Sequence, residues 1–187
     1  IYDRLVGSEM CIRDSNHNMK VTGHCRATEG IKNALLAGYD SLEHGTFIDD
    51  ETLDLLLERD VPVVPALYFE QMSIERGQEF GMSQAVIDGH QETLDGGAES
   101  ARRILEAGGR LGMGGDYGFA WNPHGDYAKE LSFFVDFVGL KPIDVLMCAT
   151  KTGAEITGRD EEFGTLEVGK LADVLVVDGD VAGDISL

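Results

Sequence analysis

Cations, cysteines and long apolar runs are all scarce in this sequence of 187 residues. Lys and Arg number 15 against 34 Asp and Glu, giving a formal net charge of −19. A surface of that sign repels phosphate backbones and anionic bilayers, which argues against nucleic acid or a membrane surface as partner. No apolar run approaches the length of a membrane span, and no charged-then-apolar secretory leader is visible. The three cysteines, Cys11, Cys25 and Cys148, form an odd set without a CxxC pair. Neither a disulfide framework nor a zinc ribbon is therefore expected. Cys25, on a strand, should point away from its neighbour His24, and both it and Cys148 read as small buried thiols.

What is present suits a soluble globular protein: 43% of residues are hydrophobic, enough for a sizeable core. The first fifteen residues stand apart. Leu5 to Ser15 has neither helical nor strand periodicity and resembles the conceptual translation of a sequencing-library adaptor. Residues 1–15 are accordingly expected to be non-native, with the natural N-terminus and any signal peptide lost. The compartment is then open, the cytoplasm being slightly favoured. The end, Asp184-Ile185-Ser186-Leu187, reads as the middle of a segment.

From residue 20 strands and helices alternate, successive strands falling roughly 20 residues apart, the signature of βα units. Val21–Arg26 predicts a strand, and Thr28 a cap for a helix ending at Gly38. Ser41–Gly45 is the second strand, and Asp49 or Asp50 caps the next helix, with Leu53, Leu56 and Leu57 on one face. Val61–Pro65 is the third strand. A long interruption from Tyr68 to Gly97 follows, with a helix after Ser83, and then a helix from Glu99 to Ala107. Arg110–Met113 predicts the fourth strand. Further helices are expected over Glu130–Phe137 and from Pro142 to Gly158. Residues 161–187 change to strand and turn, predicting a separate all-β unit.

Three polar residues close predicted strands: His24, His44 and Asp116. In a parallel α/β barrel the carboxyl ends of all strands open at one mouth, so ligands far apart in sequence meet there. Two imidazoles and a carboxylate suit a divalent transition metal, most simply zinc. A complete eight-fold barrel needs about 250 residues, so a whole one does not fit.

The run GHCRATEGIKNALLAGYDSLEHGTFIDDE, then GGDYG, ATKTGAEITG and GTLEVGKLADVLVVDGD, resembles the amidohydrolase superfamily over residues 17–187, in its imidazolonepropionase-like and prolidase-like branch. The resemblance implies an α/β fold: the second half of a (β/α)8 barrel, strands five to eight, in residues 16–160, and part of a small β-sandwich in 161–187. It implies His24 and His44 as metal ligands and Asp116 as both ligand and proton acceptor, with one or two divalent ions in the intact parent. The family's strand-one His-x-His pair and strand-four lysine have no counterpart here. The implied activity is hydrolysis of a C–N bond in a small amide, cyclic amide or dipeptide by metal-activated water. A deaminase on the same scaffold and a non-catalytic relative stay open. The chain by itself is expected to be inactive, and the full-length parent to be a candidate homo-oligomer.

Other residues divide between functional and structural readings. Arg26 stands where many relatives carry a second histidine; it suits a substrate carboxylate or a strand-end salt bridge equally. His124, in the loop after Asp116, suits substrate or metal, or loop stabilisation. Tyr68 opens the interruption, where Phe69, Met72, Phe80 and Met82 add apolar surface for a substrate wall or a satellite cluster. Glu43 reads as a structural ion-pair partner pointing away from the mouth. His17 and His90 read as solvated, Asp126 and Glu130 as helix-start carboxylates, and Lys170 and Asp173 as turn residues.

Overall fold

The computed structural model describes residues 19–186; the segment 1–15, Cys11 and His17 lie outside the described residues. Three parallel strands form the sheet: β1 (Thr22–Cys25), β2 (Ser41–His44) and β3 (Val63–Val64), in the order β1-β2-β3. Thr22 faces Ser41 and Cys25 faces His44 across the first pair; Leu42 faces Val63 across the second. The expected fourth strand contracts to a single parallel bridge between Val63 and Leu111. Glycines at 112, 114 and 115 leave that ladder few side chains to pack.

Helix α1 (Thr28–Ala37) begins at Ala27 rather than with a Thr28 cap. The Thr28 hydroxyl is diverted, donating to the carbonyl of Phe47 at 2.8 Å. Helix α2 (Asp50–Arg59) is capped as expected: the Asp49 carboxylate accepts the Thr52 N–H at 2.8 Å. The stretch read as an interruption is largely helical. Helix α3 (Leu67–Arg76) and a tight turn over Gly77–Phe80 lead into one 23-residue helix, α4 (Gln84–Glu106). Gly96 does not break it, because the Phe47 ring occupies its missing side-chain space: a Cβ there would lie 2.5 Å from Phe47 Cε1. Close packing outweighs the intrinsic cost of glycine in a helix.

Helix α5 (Lys129–Phe133) continues through a π-turn over Phe134–Val138. Helix α6 (Pro142–Met147), with Pro142 in its first turn, runs through a second π-turn into α7 (Gly153–Thr157), which Gly158 ends in left-handed conformation. The helices bury Ile31, Leu35, Leu42, Leu56, Ile104 and Phe134 in one core. Cys25 is half-buried and Cys148 buried, and burial pushes both thiols up, Cys148 to about 11. In β1, Gly23 is buried while Thr22 and His24 are exposed, so one sheet face is open.

Residues 161–186 depart from the expected strands: among the described residues they form turns and irregular chain, without a ladder. Their backbone bonds are those of turns, such as Lys170 N–H to Glu167 at 3.2 Å, and one link from Leu171 to Glu162 at 2.8 Å. A ladder needs a second strand alongside, and Val168, Leu175 and Val176 are almost fully exposed. Lys170 does sit in a turn, its ammonium donating to Thr165 Oγ1 at 2.7 Å. Among the described residues no helix is long and apolar enough to cross a membrane.

Candidate metal centre

β1 delivers His24 and β2 delivers His44, at the carboxyl ends of neighbouring parallel strands. The register pairs His44 with Cys25, not with His24, and regular alternation would aim it at the opposite face. His44 instead adopts φ +72°, in the left-handed region, and Asp116 adopts φ +49°. Outside glycine such conformations are uncommon and cost free energy. The result is convergence: His44 Nε2 lies 2.9 Å from His24 Nδ1 and 4.0 Å from Asp116 Oδ2. The two rings meet edge to face, centroids 4.4 Å apart.

The gradient of exposure across the trio is steep. His44 is 4% exposed, while the Asp116 side chain is 40% exposed. Burial, then the positive charge of Arg26 and that of His24, hold the His44 imidazole down to about 3, so it stays neutral and keeps a lone pair across the physiological range. Its Nδ1 is buried without a hydrogen-bond partner, an arrangement that costs free energy unless something occupies it. Among the described residues Glu43 is not in the expected ion pair. It accepts the Thr22 hydroxyl at 2.8 Å, and burial raises its carboxyl, with Asp116's charge adding to that rise.

The donor set fits a transition metal in kind. Two nitrogens about 2.0–2.1 Å from one ion lie about 3.0–3.4 Å apart, close to the observed edge between the imidazoles. The Asp116 edge is longer, and among the described residues no trio of His, Cys, Asp or Glu is spaced to hold an ion as it stands.

Beside this trio, Arg26 resolves one of its two readings. Its guanidinium pairs with Glu70 of α3, a residue 2% exposed, and lies 6.0 Å over the Phe69 ring. Glu70's second oxygen sits 2.6 Å from His90 Nδ1 of α4, so His90 is half-buried and engaged rather than solvated. Tyr68 is 1% exposed and donates its hydroxyl to Asp126 at 3.0 Å. Asp126 also holds Lys129 at 2.9 Å.

Glu130 is a helix-start carboxylate with an unexpected target. Its oxygens accept the N–H groups of Leu67 at 3.0 Å and Tyr68 at 2.6 Å, capping α3 rather than its own helix. His124 contacts its own loop, Nδ1 lying 3.2 Å from the Tyr127 hydroxyl. The structure thus gathers His24, His44 and Asp116 with Arg26 adjoining, and seats Tyr68 and His124 in neighbouring networks. Sequence reasoning missed Glu70, His90 and Asn122. Asn122 is fully buried, and its amide donates to the carbonyls of Gly115 at 2.7 Å and Asp116 at 3.0 Å. A signal existed for Glu70: three residues after Leu67 and four before Ile74, it falls on the apolar side of its helix.

Residues 9–186 match the amidohydrolase family. The ochratoxinase of Aspergillus niger is 26% identical over 180 residues, which take in 92% of this chain and 35% of that protein. An imidazolonepropionase of Symbiobacterium thermophilum is 38% identical over 81 residues, 41% of this chain and 18% of that protein. The crystal structure of a Xaa-Pro dipeptidase with methionine bound in its active site superposes with a TM-score of 0.83 at 28% identity, over 96% of this chain and 44% of that one. The chain therefore spans 35% of the length of the ochratoxinase it matches.

Proposed function

The chain belongs to the amidohydrolase family, and on that premise we propose that it carries part of the active site of a metal-dependent hydrolase cleaving a C–N bond in a small amide or dipeptide. β1, β2, β3 and the Leu111 bridge serve as strands five to eight of a (β/α)8 barrel, and residues 161–187 contribute to a β-sandwich. His24, His44 and Asp116 hold a divalent cation, zinc being the simplest. A bound zinc supplies a water acidified toward neutrality and polarises the scissile carbonyl.

The residues of the chain account for the rest. Imidazole ligands such as His24 and His44 would donate lone pairs without cancelling the cation's charge. Asp116, its side chain 40% exposed, lies where a water can reach it. Its carboxylate takes the proton as water oxygen bonds to the carbonyl carbon, and returns it to the amide nitrogen as the C–N bond breaks. The observation that carries this function is the meeting of His44 Nε2 with His24 Nδ1 at 2.9 Å and Asp116 Oδ2 at 4.0 Å, from the ends of two neighbouring strands and the loop beyond the Leu111 bridge.

Equilibrium dialysis of the 187-residue chain against zinc, followed by elemental analysis, tests the assignment. About one ion per chain is expected, and His44→Ala should abolish it. Equal zinc content in both proteins would overturn the ligand assignment. With zinc and a dipeptide the chain should show no turnover, since the strand-one and strand-four ligands that the family uses are not among its residues; turnover by the monomeric chain would refute the shared-site assignment.

A further inference from the structure

Asp116 holds its place in the trio through a disfavoured backbone. It stands at φ +49° directly after Gly114 and Gly115, where a non-glycine residue left to itself takes extended or right-handed conformation. Its restraint is a single nitrogen. The carbonyls on either side of its Cα, those of Gly115 and Asp116, both accept from Asn122 Nδ2, at 2.7 and 3.0 Å. In extended chain successive carbonyls point to opposite sides, and one nitrogen cannot reach both; a helical-type turn brings them to the same side. The two bonds therefore fix together the peptide planes that meet at Asp116.

Asn122 is itself anchored. It is fully buried, and its backbone closes a hairpin: its N–H donates to the Phe119 carbonyl at 3.1 Å, and its carbonyl accepts the N–H groups of Gly118 at 2.9 Å and Phe119 at 3.2 Å. Trp121 ties that hairpin to α3, its indole N–H donating to Ser73 Oγ at 3.0 Å and its carbonyl accepting from Arg76 at 3.1 Å. The amide can face only one way, because exchanging its ends would set Oδ1 against two carbonyl oxygens. Oδ1 is buried without a hydrogen-bond partner among the described residues, and an unsatisfied buried acceptor costs free energy. An apolar side chain carries no such cost, so the two donated bonds, rather than packing, account for an amide here. We propose that Asn122 is a positioning residue: it clamps the peptides flanking Asp116 and so aims the carboxylate at His44 Nε2, 4.0 Å away. This role rests on the reading of Asp116 as a metal ligand; Asn122 supplies neither ligand nor proton and acts through Asp116. The neighbouring strand end is held similarly. Ala66, at φ +58°, is followed by the two N–H groups that Glu130 accepts.

Asn122→Ala and the isosteric Asn122→Asp, which has no amide protons to donate, separate the clamp from packing. In the zinc-free protein, the backbone carbon chemical shifts of Asp116 should leave the left-handed range in both variants, while those of His24 and His44 stay in place. Zinc affinity, read by dialysis, should fall about tenfold in either variant. In an Asp116→Asn background the same substitutions should change it by less than about twofold, since the carboxylate they aim is already gone. Left-handed shifts retained at Asp116 in Asn122→Ala, or an equal loss of zinc affinity in both backgrounds, would overturn the clamp. If neither variant folds, the unmodified chain decides. Its Asn122 side-chain N–H groups should exchange slowly with solvent and its Asp116 shifts should be left-handed; rapid exchange or an extended Asp116 would overturn the proposal. Zinc uptake indifferent to Asp116→Asn would sink the ligand assignment alone, and the Asp116 shifts would still judge the clamp.

Discussion

His44 Nε2 stands 2.9 Å from His24 Nδ1 although the two residues are not opposite one another in the sheet. His44 faces Cys25 across the ladder, and the left-handed turn at His44 swings its ring back toward His24. The meeting therefore depends on backbone conformation as much as on which residues end the strands.

Asp116→Asn removes the anionic member of the trio at a position 40% exposed. Zinc affinity should fall about tenfold, since a neutral amide is a poorer ligand for a cation. Far-ultraviolet circular dichroism should be unchanged. Dialysis across a range of free zinc checks the first expectation and a thermal melt the second.

Gly45 follows His44 at φ +54°, and a Cβ there would sit 2.6 Å from Val63 Cγ1. Gly45→Ala meets both backbone strain and a clash with the neighbouring strand, a cost of about 1–3 kcal/mol. The urea midpoint should drop without a change in slope. Zinc uptake should weaken with it, because the same residue governs where His44 points.

Glu70→Ala strips Arg26 and His90 of their shared buried carboxylate. Removing one partner of a buried pair costs about 3–5 kcal/mol, and the part-exposed Arg26 places the expected loss near 3. A double-mutant cycle with Arg26→Ala should be strongly non-additive. Additive losses in the denaturation midpoints would show that the pair contributes nothing as a unit.

Burial raises the Glu130 carboxyl to about 8, against the pull of the two N–H groups it accepts. An acid with a raised folded pKa keeps its proton in the native state while the unfolded chain loses it near pH 4.5. Stability should then fall as pH rises from about 4.5 to about 8, and level off above. Glu130→Gln should flatten that slope in denaturant titrations run across the window. An unchanged slope would assign the pH dependence to other groups.

The strand ends were legible because local rules placed them. Apolar runs about 20 residues apart marked β1, β2 and β3, the run Arg110–Met113 marked the Leu111 position, and the polar residues at or just beyond β1, β2 and that run were the three that converge. Pro142 at a helix start, Asp49 as a cap and Gly158 at a helix end were equally local signals. What escaped depends on partners far along the chain. Gly96 and Gly97 look like breakers until the Phe47 ring fills the space above Gly96. Glu130 caps a helix 63 residues upstream, and no local pattern names that target. The choice for Arg26 between substrate and salt bridge needed Glu70, which α3 supplies from 44 residues away. The final segment shows the opposite failure: its strand-like composition is real, but among the described residues nothing pairs with it.

His44 and Asp116 carry left-handed backbone at non-glycine positions, and that has a practical consequence for engineering. Glycine at either position would relieve the local torsional penalty, by about 1 kcal/mol, while deleting a proposed ligand. Variants of this chain enriched for heat resistance alone would therefore be drawn toward glycine at 44 and 116, trading chemistry for robustness. A stabilisation campaign has to score metal retention and melting temperature together, or it will select the proposed site away.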